Sequence, residues 1–332
     1  MRNSKIAGVG HYVPANVVTN QDLEKIMDTS HEWIVERTGI QERRYFTAGT
    51  DTTANMGTKA AVKALAMAGL AASELDLIVF ATLSPDYVFP GSGVLLQREL
   101  GLKNIPALDV RNQCSGFIYA LSVADQFIKT GMYNNVLVVG SEIHSSGLDF
   151  SDKGRAVSVI FGDGAGAVIL CPAEAENEGI LSTHLHADGE LAEELACLAP
   201  TSNKKERLTQ DMLEDGSIYP YMNGQTVFKN AIIKFPEVIM EALNQNRYQI
   251  KDIDMLIPHQ ANLRITSFVQ QKMGLPEGKV FSNIQRYGNT TAASVPIALS
   301  EAVEQGKIKT GHLVCLAAFG SGFTWASALI RW

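Results

Sequence analysis

Three observations in the sequence predict an α/β fold made of two homologous halves. Short apolar runs typical of buried strands alternate with amphipathic helices along the 332 residues. Two runs of the first half, at Asp76–Phe80 and Leu137–Gly140, recur in the second half at a constant offset of 176 residues (252 − 76 and 313 − 137). The same offset relates Cys114 to Thr290, which indicates that one corner of each half is equivalent to the other.

This repeat predicts the domain organisation. We place the N-terminal half at residues 1–173 and the C-terminal half at residues 174–332. The halves are expected to pack as a pseudo-dimer, which brings the corner with Cys114 close to the corner with Asn289.

Composition and charge exclude several classes of protein. Hydrophobic residues make up 46% and charged residues 19% of the chain, as in a globular protein. The formal net charge of −7 argues against nucleic-acid binding. The sequence has no run of eighteen apolar residues, no signal-peptide pattern and no CxxC pair among its four scattered cysteines. We therefore expect a cytoplasmic protein in a reducing compartment, with no membrane span, disulfide framework or metal site.

Local patterns predict the elements in order. The predicted strands are residues 5–10, 75–83, 107–110, 136–140 and 165–170 in the first half, and 252–257 and 313–316 in the second. Predicted helices include one capped by Thr19, one from Thr52 to about Leu70 and one over 94–100. The polar segment 187–220 interrupts the repeat. It is expected to be a solvated surface insertion, and a lid over the site is the alternative.

Cys114 stands at the corner that organises the chain. The predicted strand 107–110 ends in a polar corner, and a helix with buried apolar positions follows. Unpaired N–H groups and the helix dipole favour a thiolate at such a helix N-terminus, so we expect the pKa of Cys114 to be lowered. The alternative interpretation is a small buried hydrophobic residue.

The second half supplies polar residues near the ends of its predicted strands. His259 directly follows the strand 252–257, Asn262 comes three residues later, and Asn289 lies in the corner equivalent to that of Cys114. In a hydrolase, such a histidine deprotonates the thiol and the asparagine orients it. In a decarboxylative condensing enzyme, both side chains donate hydrogen bonds to a thioester oxygen as an enolate forms. The residue types leave both possibilities open.

Two glycine-rich segments have different interpretations. In Gly320-Ser-Gly-Phe-Thr-Trp, a backbone N–H could join that of Cys114 in an oxyanion hole, and a tight packing bend is the alternative. In Phe161-Gly-Asp-Gly-Ala-Gly-Ala, a predicted strand follows the glycines where a phosphate-binding loop would need a helix. We interpret this second segment as a structural turn.

The motifs carry a family resemblance that runs from about residue 4 to Trp332. They are Asp109-Val, Cys114-Ser-Gly-Phe, Phe161-Gly-Asp-Gly-Ala-Gly-Ala, His259-Gln-Ala-Asn, Gly288-Asn-Thr and Gly320-Ser-Gly-Phe-Thr-Trp. Together they resemble the β-ketoacyl-acyl-carrier-protein synthase III family. The resemblance implies a thiolase-like fold, with two βαβαβαβ halves in a five-layer αβαβα sandwich, usually as a homodimer. It also implies an acyltransferase without cofactors, which condenses an acyl-CoA with malonyl-ACP through an acyl-cysteine and releases CO2 and CoA.

The resemblance assigns roles to individual positions. Cys114 is the nucleophile, His259 and Asn289 stabilise the enolate, the backbone N–H groups of Cys114 and Ser321 form the oxyanion hole, and Asn262 supports the histidine loop. Trp33, Arg37, Arg155, Met222 and Gly224 match contacts to CoA, Lys229, Arg264 and Lys272 match a basic patch for ACP, and Phe89 matches a loop that shapes the acyl pocket across the dimer.

Three departures from the family pattern leave the acyl donor open. Asn112 and Gln113 stand where small residues are common, Ala326 stands where glycine is common, and the segment 187–220 is longer than a minimal family member needs. Separately, Gln271 stands where a second lysine of the ACP patch is often found, so weaker or shifted docking of ACP is expected. Our first hypothesis is initiation of fatty-acid synthesis. The closest alternative is a longer or β-ketoacyl donor in a secondary pathway of the alkylresorcinol, quinolone or polyketide type. A thioester hydrolase and a non-catalytic acyl- or CoA-binding module are the alternatives from other classes.

Overall fold

Two mixed β-sheets and the helices around them form the framework of the chain in a computed structural model, which describes residues 3–332. The strands are β1 Ser4–Tyr12, β2 Asn16–Thr19, β3 Glu42–Tyr45, β4 Leu77–Ala81, β5 Ala107–Val110, β6 Val136–Glu142, β7 Gly164–Pro172, β8 Gly179–Ala187, β9 Leu195–Ala196, β10 Tyr221–Met222, β11 Met255–Pro258, β12 Leu313–Gly320 and β13 Thr324–Arg331. The α-helices are α1 Asn20–Glu24, α2 His31–Thr38, α3 Thr53–Ala68, α4 Ser92–Glu99, α5 Gly116–Lys129, α6 Arg155–Ser158, α7 Gln210–Glu214, α8 Gly224–Gln245, α9 Leu263–Met273, α10 Ile284–Tyr287 and α11 Ser294–Glu304.

The two large sheets have equivalent topologies. The first has the strand order β1-β7-β6-β4-β5, and the second has the order β8-β13-β12-β11. Each sheet has one equivalent parallel pair, β4 with β6 in the first and β11 with β12 in the second. The strand next to β6 or β12 (β7 or β13) is antiparallel to both of its neighbours. The counterpart of β5 is reduced to a single bridge between Leu256 and Val280. The predicted repeat is confirmed, and the boundary placed at residues 173 and 174 lies in the connection between β7 and β8.

Helices and sheets stack in five layers. Helices α5 and α11 lie between the two sheets, and the buried side chains of this middle layer form one apolar core with strands of both sheets. Helices α3 and α4 cover the outer face of the first sheet, and α8 and α9 cover that of the second, each with an apolar core of its own. Since α5 and α11 are the equivalent helices of the two halves, their N-termini lie at equivalent corners of the molecule.

Local sequence signals account for most element boundaries. Thr52 accepts the N–H of Asn55 at the start of α3, and the helix ends at Ala68 because Gly69 adopts a left-handed φ of 68°. The prediction of a strand over 75–83 is too long, since β4 covers only 77–81. The carboxylate of Asp76 accepts backbone N–H groups from residues 134 and 135 before the strand, and Glu142 binds the chain at residues 82–84 after it.

The expectation that the segment 187–220 is only a surface insertion is wrong for its two ends. Its middle, residues 202–208, is exposed. In contrast, residues 195–197 together with Ile218 and Pro220 line the largest cavity described below. The hydroxyl of Ser321 donates to the carbonyl of Leu195, which ties this segment to the glycine-rich bend. The segment therefore forms a wall of the site, closer to the lid alternative.

Within residues 3–332, no helix combines the length and hydropathy needed to cross a bilayer.

Candidate active site

Cys114 lies in a short 3-10 turn, Gln113–Ser115, between β5 and α5. This confirms the predicted strand-to-helix corner. The side chain is buried, and the backbone N–H groups of Cys114 and Ser321 both act as hydrogen-bond donors toward its sulfur. A Cβ atom on Gly320 would approach the Cys114 Cβ to 2.4 Å and Sγ to 2.8 Å, so only glycine fits there. The bend at 320–322 is therefore packed directly against the sulfur.

The expectation of a lowered pKa for Cys114 is wrong. Burial raises the pKa of the thiol to about 12, and the nearby Glu142 carboxylate adds to the rise. The two backbone N–H groups act in the opposite direction but are outweighed. In the free protein Cys114 is therefore a neutral thiol.

His259 follows β11 and is buried. Its backbone N–H donates to Ala317, and its Nδ1 lies 2.5 Å from Ser294 Oγ. Ser294 Oγ also accepts the N–H of Gln260, so its own proton is available for Nδ1. This assignment places the histidine proton on Nε2. Burial lowers the pKa of His259 to about 3, which keeps the ring neutral.

The Nε2 atom of His259 has no hydrogen-bond partner within residues 3–332, although it is buried. It belongs to a ring that lines the same cavity as the sulfur of Cys114. A buried donor without a partner costs about 1–3 kcal/mol, so this position is suited to a ligand oxygen.

The side chain of Asn289, like the ring of His259, is oriented by a hydrogen bond. Its Oδ1 accepts the N–H of Thr291 at 2.8 Å, which leaves the Nδ2 group without a partner in the part of the chain described. Its backbone is paired with Phe161 of the other half through an isolated bridge. The predicted proximity of the Cys114 and Asn289 corners is confirmed, since both residues line one cavity with His259.

This shared cavity is a narrow passage with a volume of about 120 Å³. Besides Cys114, His259 and Asn289, it is lined by the predicted residues Asn262, Met222 and Gly224, with Phe228, Phe319 and Gly320. Asn262 caps α9 through the N–H of Arg264 and donates to the carbonyl of Arg37. It therefore connects the end of the histidine loop to α2.

A second cavity of about 420 Å³ also ends at Cys114. It is lined by Leu83, Ser84, Arg111, Gln113, Ile143, His144, Ser146, Gly147, Leu148, Phe161, Leu195, Ala196, Cys197, Ile218, Pro220, Thr291 and Ser321. Two of these residues, Gln113 and Thr291, have positive φ angles of 44° and 48°, a strained conformation for residues other than glycine. The sulfur therefore separates two spaces of different size.

The predicted CoA contacts of the first half form a stack. The guanidinium groups of Arg37 and Arg155 each lie 4.8 Å from the centre of the Trp33 ring. Arg155 also binds Asp28, through the backbone carbonyl and at 3.6 Å through the carboxylate. The indole packs on the same apolar cluster as Met222 of the passage.

The remaining predicted residues lie on the surface. Lys229 on α8 and Arg264 and Lys272 on α9 are exposed on two adjacent helices. Phe89 is 80% exposed and lines neither of the two cavities that end at Cys114.

Sequence reasoning did not single out His144, Thr291 or Ser294. His144 stands two residues beyond the end of β6, just as His259 stands at the end of β11, so strand-end position was a usable signal. Thr291 and Ser294 lie in the corner that the repeat equates with Cys114. The Phe161 segment is a structural turn as predicted, since Asp163 accepts backbone N–H groups from Phe46, His144 and Ser145.

A doubled α/β fold in which a cysteine of one half faces a histidine and an asparagine of the other defines a thiolase-like acyl-transfer enzyme. Solved structures support this class. The 3-oxoacyl-(acyl-carrier-protein) synthase III of Aquifex aeolicus superposes with a TM-score of 0.91 at 45% identity, covering 99% of this chain and 100% of that one. The synthase III of Thermus thermophilus gives a TM-score of 0.89 at 40% identity, covering 99% of both chains.

Sequence comparisons narrow the class to one family. The family model described as 3-oxoacyl-(acyl-carrier-protein) synthase III matches residues 108–189, and its C-terminal model matches residues 243–332. The β-ketoacyl-(acyl-carrier-protein) synthase III of Yersinia pseudotuberculosis is 48% identical over 329 residues, which is 99% of each chain. That of Salmonella arizonae is 48% identical over 328 residues, again 99% of each. The chain belongs to the β-ketoacyl-(acyl-carrier-protein) synthase III family.

Proposed function

We propose that this protein condenses an acyl-CoA with malonyl-ACP, giving a 3-oxoacyl-ACP, CO2 and CoA, as a β-ketoacyl-ACP synthase III that initiates fatty-acid synthesis. One observation carries the mechanism: the Cys114 sulfur shares a cavity with two hydrogen-bond donors that have no partner among residues 3–332, His259 Nε2 and Asn289 Nδ2. The activity named for the full-length relatives supports the same reaction.

In the first half-reaction, the Cys114 sulfur attacks the thioester carbonyl of acyl-CoA. The carbonyl oxygen becomes an oxyanion, and the backbone N–H groups of Cys114 and Ser321 are positioned to bind it. Loss of one such donor typically costs a factor of about 100–1000 in rate. Collapse of the intermediate breaks the bond to CoA, which leaves as its thiol with the proton from Cys114, and the acyl group stays on the sulfur.

In the second half-reaction, malonyl-ACP enters the passage and loses CO2. The electron pair of the broken C–C bond moves into the thioester, whose oxygen becomes an enolate that His259 Nε2–H and Asn289 Nδ2–H stabilise. The enolate carbon then attacks the acyl group and displaces the Cys114 thiolate. A neutral histidine that donates is what this step requires, and no metal or organic cofactor takes part.

The same histidine argues against a thioester hydrolase. A hydrolase of this type would need His259 to accept the thiol proton. Burial lowers the pKa of His259 to about 3, and its Nδ1 is occupied by Ser294. The ring is therefore a poor base and a good donor.

We further propose that the Trp33 stack holds the adenine of CoA. In the free protein Arg155 occupies one face of the indole and Arg37 is the second cation on the ring, so an adenine would displace one guanidinium and stack in its place. Met222 and Gly224 line the passage from there toward Cys114, and Asn262 steadies the histidine loop beside it.

Two features of the surface support proposals about the partner and the assembly. The exposed cations of α8 and α9 would bind the acidic ACP, although the chain as a whole has a net charge of −7. Strand β5 pairs with β4 on one side only, and the neighbouring loop exposes Tyr87, Val88 and Phe89. We propose that β5 joins two copies in a homodimer, in which Phe89 shapes the acyl pocket of the partner, and that the enzyme acts in the cytoplasm.

Intact-mass spectrometry tests the proposed reaction. The protein is incubated with a panel of acyl-CoAs and then with malonyl-ACP. We expect one acyl adduct that is absent in Cys114→Ala and is discharged as 3-oxoacyl-ACP. If the adduct is lost to water whether or not malonyl-ACP is added, the protein is a hydrolase. If no member of the panel labels Cys114, acyl transfer from CoA is wrong.

A further inference from the structure

The larger cavity beyond Cys114 differs from a simple hydrocarbon pocket. Its volume of about 420 Å³ equals the volume of roughly fourteen water molecules, far more than an acetyl group fills. Most of its wall is apolar, with Leu83, Ile143 and Leu148 among the residues that line it. The smaller polar part includes Arg111, Gln113 and His144, whose side chains the proposed mechanism does not use.

His144 is one of the buried polar groups in this wall. Its Nε2 lies 2.6 Å from the hydroxyl of Thr291, while its ring packs on Phe161. Because burial lowers the pKa of His144 to about 4, the ring is neutral and can make one hydrogen bond through each nitrogen. The structure provides no partner for Nδ1 among residues 3–332. One hydrogen-bonding position of a buried ring is therefore left for an occupant of the cavity.

Gln113 and Arg111 provide further polar groups without partners. Gln113 immediately precedes the nucleophile, is half-buried, and its side-chain amide makes no hydrogen bond within the described chain. Its φ of 44° is a strained conformation, and the residue lines the wall of the cavity. Arg111 is exposed at the same cavity and has no ion pair in that part of the chain. Both can donate hydrogen bonds to an oxygen.

We infer that the cavity selects an acyl donor whose chain carries a keto or hydroxyl oxygen, recognised by His144 and Gln113. This inference rests on the proposed function, since it names the donor class of the same reaction. An unsubstituted chain would leave the His144 Nδ1 and the Gln113 amide buried without partners, whereas an oxygen on the chain satisfies them. A pocket built around such hydrogen bonds discriminates strongly against the analogue that lacks the oxygen.

A comparison of three donors of equal chain length tests this inference. The wild-type protein is given hexanoyl-CoA, 3-oxohexanoyl-CoA and 3-hydroxyhexanoyl-CoA, and kcat/KM for Cys114 acylation is measured with each. We expect at least one oxygenated donor to exceed hexanoyl-CoA by about ten-fold or more. The two oxygenated donors distinguish a keto group from a hydroxyl. Equal or better use of hexanoyl-CoA would overturn the inference while leaving the proposed reaction intact, and failure of all three to label Cys114 would count against the reaction itself.

Variants of His144 and Gln113 test whether these residues recognise the oxygen of the acyl chain. His144→Leu should reduce the preference for the oxygenated donor about ten-fold, mainly by lowering kcat/KM for that donor, and Gln113→Ala provides an independent variant if His144→Leu folds poorly. Leu148→Met, which changes an apolar position of the same cavity at nearly constant volume, should keep the wild-type preference. An unchanged preference in both folded polar variants would contradict the assignment.

Discussion

Cys114 experiences two opposing influences. Two backbone N–H groups and the start of α5 favour its thiolate, while burial and the Glu142 carboxylate disfavour it. Glu142 is itself buried and accepts hydrogen bonds from Thr82, Leu83 and Ser84. Burial raises the pKa of this carboxyl to about 7. The sulfur is therefore protected as a thiol, and the same N–H groups are left to act on the substrate oxyanion.

The raised pKa predicts the pH dependence of alkylation. Because only the thiolate reacts, the rate of iodoacetamide addition to Cys114 should rise about ten-fold per pH unit from pH 6 to pH 9, without a plateau. Peptide mass spectrometry separates this site from the exposed Cys197. Glu142→Gln removes the nearby negative charge and should accelerate alkylation at pH 8. A plateau below pH 8 in the wild type would show that the backbone N–H groups outweigh burial.

Ser294 is a positioning residue for His259. Its hydroxyl directs the histidine proton to Nε2, so Ser294→Ala should lower the rate of malonyl-ACP decarboxylation about ten-fold, equivalent to ~1.4 kcal/mol, while acylation of Cys114 is unchanged. Ser294→Thr keeps the hydroxyl and should recover most of the loss. Equal losses in both half-reactions would instead indicate a general structural effect.

At the scale of elements, α8 and α9 provide the proposed ACP surface. Their packing is fixed by a shared apolar core and by Lys272 Nζ, which donates to the carbonyl of Ile232 at 3.3 Å. Arg264 also lies over the ring of Phe228, 5.9 Å from its centre. The cations are thus attached to a rigid helix pair whose inner face lines the passage to Cys114.

Charge reversal on this helix pair should weaken the use of malonyl-ACP without changing the use of acyl-CoA. Lys229→Glu combined with Arg264→Glu is expected to raise the KM for malonyl-ACP about ten-fold at low salt, because an acidic partner is then repelled, with less effect at high salt. Acylation by acyl-CoA should not change. Lys63→Glu combined with Lys307→Glu, which reverses two exposed lysines outside α8 and α9, is the control matched in net charge. An effect of equal size in the control would indicate a response to net charge alone.

Sequence predicted elements well where a short-range signal existed. The capping residues Thr19 and Thr52 predicted the starts of two helices, because a cap is a local hydrogen bond. The constant offset predicted equivalent strands and the proximity of Cys114 and Asn289, because it reflects the symmetry of the two halves. The pKa of Cys114 could not be predicted because it depends on burial and on Glu142, which the fold brings from another strand. The role of residues 195–197 was missed because a polar composition does not show which end of an insertion folds inward.

At the scale of the molecule, the two halves differ at one edge. The first sheet ends in β5, where Leu108 is 40% exposed, while its counterpart in the second sheet is a single bridge. Leu108→Glu should therefore weaken the proposed homodimer and shift the sedimentation coefficient toward that of a monomer. Leu185→Glu, on the edge strand β8 of the second sheet, is the control and should leave the dimer intact. Dimers that persist equally in both variants would place the interface elsewhere.

The asymmetry of the sheet edges also limits the size of the assembly. If β5 pairs with β5 of a second copy, the contact is isologous, because the same strand contributes from both sides. Each copy then has that edge occupied, and the joined sheet runs through ten strands without offering β5 to a third chain. A duplicated fold with an equally open strand in each half could have linked head to tail into filaments. In this chain the counterpart of β5 is only a bridge, so β5 is the one strand of the two that can pair with a second copy. The assembly then stops at two chains.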